Sequence, residues 1–124
     1  MARILVIDDD RPLLKVLSDL LQSAGHEVTT AVDGDEGLQC LSAAPFDVVL
    51  TDLIMPNKEG LETIRDVRRR DAGIKIIAMS GGGFGDGRTY LGLAAKLGAH
   101  RTLPKPFSRA ELLASVVAVM DETS

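Results

Sequence analysis

Apolar residues along the chain fall into two alternating patterns. The first is the short unbroken run: Ile4-Leu5-Val6-Ile7, Val48-Val49-Leu50, and Ile74 to Met79 interrupted only by Lys75. Runs that do not alternate with polar residues predict strands buried on both faces, as in parallel sheets. Glu27–Ala31 and His100–Leu103 are weaker strand candidates. Between the runs the period becomes helical. Leu13, Leu17, Leu20, Leu21 and Ala24 share a stripe, with Pro12 near its start and Gly25 just past its end. Further helices are predicted over Asp35–Ser42 (Leu38, Leu41), Glu59–Arg70 (Leu61, Ile64, Val67) and Arg88–Leu97, with Gly98 as a stop. Ser108-Arg109-Ala110-Glu111 reads as a capping box opening a last helix, with Leu112, Leu113, Val116, Val117 and Met120 expected inward.

Strand and helix alternate five times, which predicts an α/β domain with a parallel sheet covered on both faces. Right-handed crossovers then bring all the carboxyl-terminal strand ends to one edge, where open sheets of this kind carry their ligands. At 124 residues the chain fits one domain, and 45% apolar content rules out disorder. With aromatics at 3% and no Trp, the core must be aliphatic. A net charge of -4 gives no reason to expect binding to nucleic acid or a membrane surface. The only cysteine, Cys40, excludes an intramolecular disulfide and a cysteine-pair zinc site. An acid at position 8 comes too early for a secretory segment, and the longest apolar run, Val116–Met120, is far short of a membrane span. The expected setting is cytoplasmic.

The chemistry lies at the ends of the strands. Asp8, Asp9 and Asp10 follow the first run, Asp52 the third strand, Ser80 the fourth and Lys105 the fifth. Gathered carboxylates repel one another and recruit a cation. An all-oxygen set without His or Cys suits magnesium, or manganese. A lysine ammonium and a serine hydroxyl beside a metal-bound carboxylate fit stabilisation of a phosphoryl group in transfer, with Asp52 as nucleophile.

In these residues the chain resembles the response-regulator receiver domains of two-component signalling. The likeness runs from Arg3 to the last helix, on Ile4-Leu5-Val6-Ile7-Asp8-Asp9-Asp10, Asp52-Leu53-Ile54-Met55-Pro56, Ser80-Gly81 and Lys105-Pro106-Phe107. It implies a doubly wound, flavodoxin-like sheet in the order 2-1-3-4-5 with five helices, and residues 1–124 as a single receiver domain with no output domain. It implies that Asp52 accepts a phosphoryl group from a phosphohistidine on a histidine kinase or histidine phosphotransfer protein. Asp9 would then ligate Mg2+ directly, Asp8 through a water, Asp52 by its carboxylate and Ile54 by its backbone carbonyl. Ser80 would bond the phosphoryl group and act as the switch, Lys105 would pair with a phosphoryl oxygen, and Lys105-Pro106 would be cis. Such a protein is a phosphoacceptor that assists its own phosphorylation and dephosphorylation rather than an enzyme. It signals to a downstream protein, as a monomer or a phosphorylation-dependent dimer, and makes no contact with DNA or membrane. Where the family usually carries an aromatic residue three before the lysine, this chain has Thr102. The activation signal is therefore expected to run through the segment after Ser80.

Two other functions compete. A flavodoxin-like cofactor binder would share the strand order, but three aspartates after the first strand repel a cofactor phosphate. A magnesium-dependent aspartyl phosphatase or phosphotransferase commonly places an acid two residues after its nucleophile, and Ile54 stands there instead. Several residues have plainer readings. Asp10 reads as a helix cap, and Cys40 as a small, partly buried hydrophobe. His26 and His100 read as loop and strand-edge residues, and Arg68-Arg69-Arg70 as cations suited to a helix end. Gly81-Gly82-Gly83-Phe84-Gly85-Asp86-Gly87 contains no G-x-G-x-x-G pattern and reads as a connector.

Overall fold

A computed structural model describes residues 1–53, 60–71, 73–80 and 98–121. Its order is β1 (Arg3–Ile7), α1 (Arg11–Ser23), β2 (Glu27–Ala31), α2 (Gly34–Ala43), β3 (Val48–Asp52), α3 (Gly60–Arg70), β4 (Lys75–Ser80), β5 (Arg101–Pro104) and α4 (Arg109–Asp121). The strands form one parallel sheet in the order β2-β1-β3-β4-β5, as expected. The helix expected over Arg88–Leu97, the glycine-rich segment and Ile54 lie outside the described residues.

The unbroken runs are the three central strands, and their alternate residues feed two separate cores. Ile4, Val6, Val48, Leu50, Ile77 and Met79 pack against α1 and α4. Leu5, Ile7, Val49, Ile76 and Ala78 join Ile64 and Val67 of α3 on the opposite face. Burying one such aliphatic side chain contributes about 2 kcal/mol, so these two layers, not helix propensity, hold the helices in place.

Two helices are rotated from their expected stripes. In α1 the fully buried residues are Leu14, Leu17 and Leu21, while Leu13 and Leu20 are half-buried and Ala24 is an exposed cap. In α4 the buried set is Leu112, Val116 and Val119, whereas Val117 and Met120 face outward at 56% and 39% exposure. Each helix carries more apolar positions than one face can use, so the set nearest the sheet wins, at i, i+3, i+7 in α1 and i, i+4, i+7 in α4. Boundaries move as well. Ile74 precedes β4, Asp52 and Ser80 are the last residues of their strands, and β5 begins after His100. The capping box is present: Glu111 N–H donates to Ser108 Oγ at 3.0 Å and Ser108 N–H to Glu111 Oε1 at 3.1 Å.

Helix α2 approaches β1 closely because position 37 is glycine. A methyl group there would overlap Ile7 Cδ1, which is fully buried. Gly37→Ala should therefore destabilise by about 1 kcal/mol, because overpacking exceeds the gain in helix propensity. Ile7→Val removes the overlapping methyl and should cost less in the Gly37→Ala background than in the parent. Equal costs in a denaturation double-mutant cycle would show that the two sites are uncoupled.

Candidate functional site

The carboxyl edge of the sheet is built by backbone bonds that carry the ladder one step past the strands. Asp8 N–H donates to Ala31 O at 3.1 Å, Leu53 N–H to Met79 O at 3.0 Å, and Lys105 N–H to Ser80 O at 2.7 Å. These bonds place Asp8, Asp52, Ser80 and Lys105 on four neighbouring strand ends. Asp8, Asp52 and Ser80 are buried, at 0%, 6% and 3% exposure, and Asp9 is exposed. One ligand oxygen from each of Asp8, Asp9 and Asp52 lies within 4.8 Å of the others. An all-carboxylate cluster of that size, two members buried and one open to solvent, fits a hard divalent cation such as Mg2+.

Lys105 reaches into the cluster. Its ammonium donates to Asp8 Oδ2 at 2.8 Å and stands 3.7 Å from Asp52 Oδ2. Burial alone would lower the lysine's pKa. The hydrogen bond to Asp8 and the charges of Asp52, Asp8 and Asp10 outweigh it, and the net shift is upward. The Lys105-Pro106 peptide bond is cis. Asp10 caps α1, accepting from Leu13 N–H at 3.1 Å, while its own N–H donates to Asp8 Oδ1 at 2.9 Å. Asp10 thus helps hold Asp8 without joining the cluster. Thr102 is half-buried on β5, paired in register with Ala78.

Beside the cluster, a cleft of about 450 Å³ opens between α1 and the segment leading into α4, and Leu13, Val16, Leu20, Lys105 and Phe107 line it. Sequence reasoning missed this cleft because it treated Leu13 and Leu20 as core. The missed signal was the surplus of leucines in α1.

The crowding of carboxylates has a measurable cost. At such separations each pair repels by about 3 kcal/mol at an effective dielectric near 20, and Lys105 offsets only part of it. In chelator, Asp52→Asn should melt about 3–5 °C higher than the parent. Mg2+ should then stabilise the parent more than the variant. A lower melting point for Asp52→Asn in chelator would contradict this reading of the cluster.

Residues 4–117 match the sequence model of a family described as the response regulator receiver domain. The transcriptional regulatory protein CpxR of Escherichia coli (strain K12) is 38% identical over 120 residues, which is 97% of this chain and 50% of that protein. A CpxR homolog from Haemophilus influenzae matches at 38% identity, over 51% of its length. The chain thus spans about half the length of these curated relatives. Among solved structures, a response regulator receiver domain protein from Clostridium thermocellum superposes with a TM-score of 0.90 at 32% identity, covering 98% of this chain and 95% of that one. The chemotaxis protein CheY4 of Vibrio cholerae does so with a TM-score of 0.86 at 32% identity, covering 96% and 98%.

Proposed function

The chain belongs to the response regulator receiver domain family, the phosphoacceptor switch of two-component signalling, and from that premise we propose that its switch is thrown at Asp52. The observation that carries this reading is the position of Asp52. It is a nearly buried carboxylate ending the central strand β3, with two further aspartates and a lysine ammonium around it. An Asp52 carboxylate oxygen attacks the phosphorus of a phosphohistidine, the phosphorus–nitrogen bond breaks, and the imidazole leaves with the electron pair. The product is an acyl phosphate. Lys105, already within 3.7 Å of Asp52, turns its ammonium to the new phosphoryl oxygens. The Ser80 hydroxyl, on the adjacent strand end, donates to another of them. Asp9, Asp52 and, through a water, Asp8 would hold Mg2+, which when bound neutralises charge on the transferring group.

The phosphodonor is a histidine kinase or phosphotransfer protein. Its apolar surface is accommodated by the cleft that Leu13, Val16, Leu20 and Phe107 line next to Lys105. A downstream protein reads the phosphorylated surface. No described helix is long and apolar enough to cross a membrane.

Incubation with acetyl phosphate and Mg2+, followed by intact mass measurement, tests the assignment. The parent should gain one phosphoryl group, and Asp52→Asn should gain none. A gain that survives in Asp52→Asn would place the acceptor elsewhere. Sustained turnover of a small phosphate ester would favour the aspartyl phosphatase reading.

A further inference from the structure

The chain has two histidines, and the structure uses them in the same way. Each immediately precedes an edge strand: His26 before β2 and His100 before β5. Each follows shortly after a glycine of positive φ, Gly25 and Gly98. Each places its ring Nδ1 under a backbone N–H of the neighbouring inner strand. Ala2 N–H, at the root of β1, donates to His26 Nδ1 at 3.0 Å, and Ile76 N–H in β4 donates to His100 Nδ1 at 3.2 Å. The same two inner residues also take the ladder bonds at those roots. Glu27 N–H donates to Ala2 O at 3.0 Å, and His100 N–H donates to Ile76 O at 2.8 Å. The imidazoles therefore satisfy donors that begin the two ladders. Ala2 and Ile76 are buried at 1% and 0% exposure, so solvent is poorly placed to replace the rings.

We propose that His26 and His100 form a paired, proton-sensitive lock that docks both edge strands at the amino-terminal edge of the sheet, opposite the aspartate cluster. Each ring works only while its Nδ1 is a bare acceptor. A proton there sets one donor against another, and the bond must break. The charged groups nearby add to that cost. The Met1 ammonium acts on His26, and the Arg68 guanidinium stands 3.4 Å from His100 Nδ1. Beside His26, Glu27 of β2 pairs with Arg3 of β1 at 3.2 Å. Beside His100 the adjoining strand residues are Lys75 of β4 and Arg101 of β5, both cations, while Asp71 acts on Arg68 with the opposite charge. Burial holds the His26 imidazole below its usual pKa, and the Met1 ammonium acts in the same direction.

The sign follows from linkage. A histidine whose folded pKa is depressed leaves full stability above the unfolded value of about 6.5. Stability is then lost as pH falls from there toward the folded pKa, because only the unfolded chain takes up the proton. Each unit of depression lowers the folding equilibrium constant tenfold.

The test combines a proton NMR titration of both rings with denaturant unfolding between about pH 7.5 and 5.5, a window above most carboxylates. The comparison is the parent against His26→Asn/His100→Asn, whose side-chain oxygens keep the acceptor without titrating. The His26 ring should titrate below 6.5, and the Ala2 and Ile76 amide resonances should follow the titration of His26 and His100. The parent's folding constant should fall severalfold as pH drops across the window, and the double variant's should stay nearly level. A His26 ring that titrates at or above 6.5 would overturn the lock, as would an unchanged pH slope in the double variant. The parent's NMR titration decides the matter even if the double variant does not fold.

Discussion

Lys105→Met should lose about 3 kcal/mol of stability in metal-free buffer, and saturating Mg2+ should restore much of that loss. The reason is the division of labour around Asp8. That carboxylate is wholly buried, and its cation is Lys105 at 2.8 Å. Removing the lysine strands a buried charge, the costly way to break an ion pair. Because a divalent ion would serve the same carboxylates, its stabilising effect should be larger in Lys105→Met than in the parent. Equal Mg2+ shifts in melting temperature would show that lysine and metal do not compete for the same charge. The pH dependence has a definite direction. The folded pKa of Lys105 lies above its ordinary 10.5. Its contribution is therefore complete below about that pH and is lost as pH rises through the folded value. On the alkaline side the stability gap between parent and Lys105→Met should close as Lys105 loses its proton.

The second large effect is expected at Arg68, far from the cluster. Its guanidinium donates to Ile74 O and Gly98 O, both at 2.8 Å, and to Asp71 O at 3.4 Å. One half-buried side chain thus ties the end of α3 to the approaches of β4 and β5. Burial draws its pKa down against the opposing charge of Asp71, yet an arginine remains a cation throughout the physiological range. Arg68→Ala should cost about 3 kcal/mol, since it deprives the carbonyls of buried Ile74 and half-buried Gly98 of a charged donor. Arg68→Lys should recover little, because an ammonium lacks the fork that spans two segments. In hydrogen exchange, the His100 amide should lose protection more than the Leu53 amide. A uniform loss across the sheet would mean that Arg68 supports the whole fold and not this corner.

Arg68 also marks where sequence reading ends. Arg68-Arg69-Arg70 looks like three equivalent helix-end cations, and nothing in their spacing says which one turns inward. Gly98 and Ile74 become its partners only once α3 and β5 are adjacent. By contrast, Asp8, Asp52 and Ser80 were legible because each ends an apolar run, and Lys105 because it follows a weaker strand candidate; a parallel sheet brings such ends together. The three central strands were legible from the same runs. The helices were legible as helices but not in their rotation. Leu14 and Leu113 belong to sequences apolar on two adjoining stripes, and only the sheet decides that Leu14 is fully buried while Leu113 is half-buried. The histidines were read as plain edge residues because their role depends on backbone N–H groups, which leave no mark in the side-chain pattern.

The strand order has a consequence for how this chain is made. β1 is the first strand to leave the ribosome, yet it is an inner strand of the sheet, flanked by β2 and β3. Its outer neighbour β2 follows after one helix, whereas its inner neighbour β3 follows only after a second. Until β3 arrives, Ile4-Leu5-Val6-Ile7 presents an uncovered side to the ribosome exit and to other nascent chains. An exposed edge of that composition is a template for aggregation. Residues that are fully buried in the finished protein therefore lack one of their two neighbouring strands early in synthesis, and that interval closes only when Val48-Val49-Leu50 emerges.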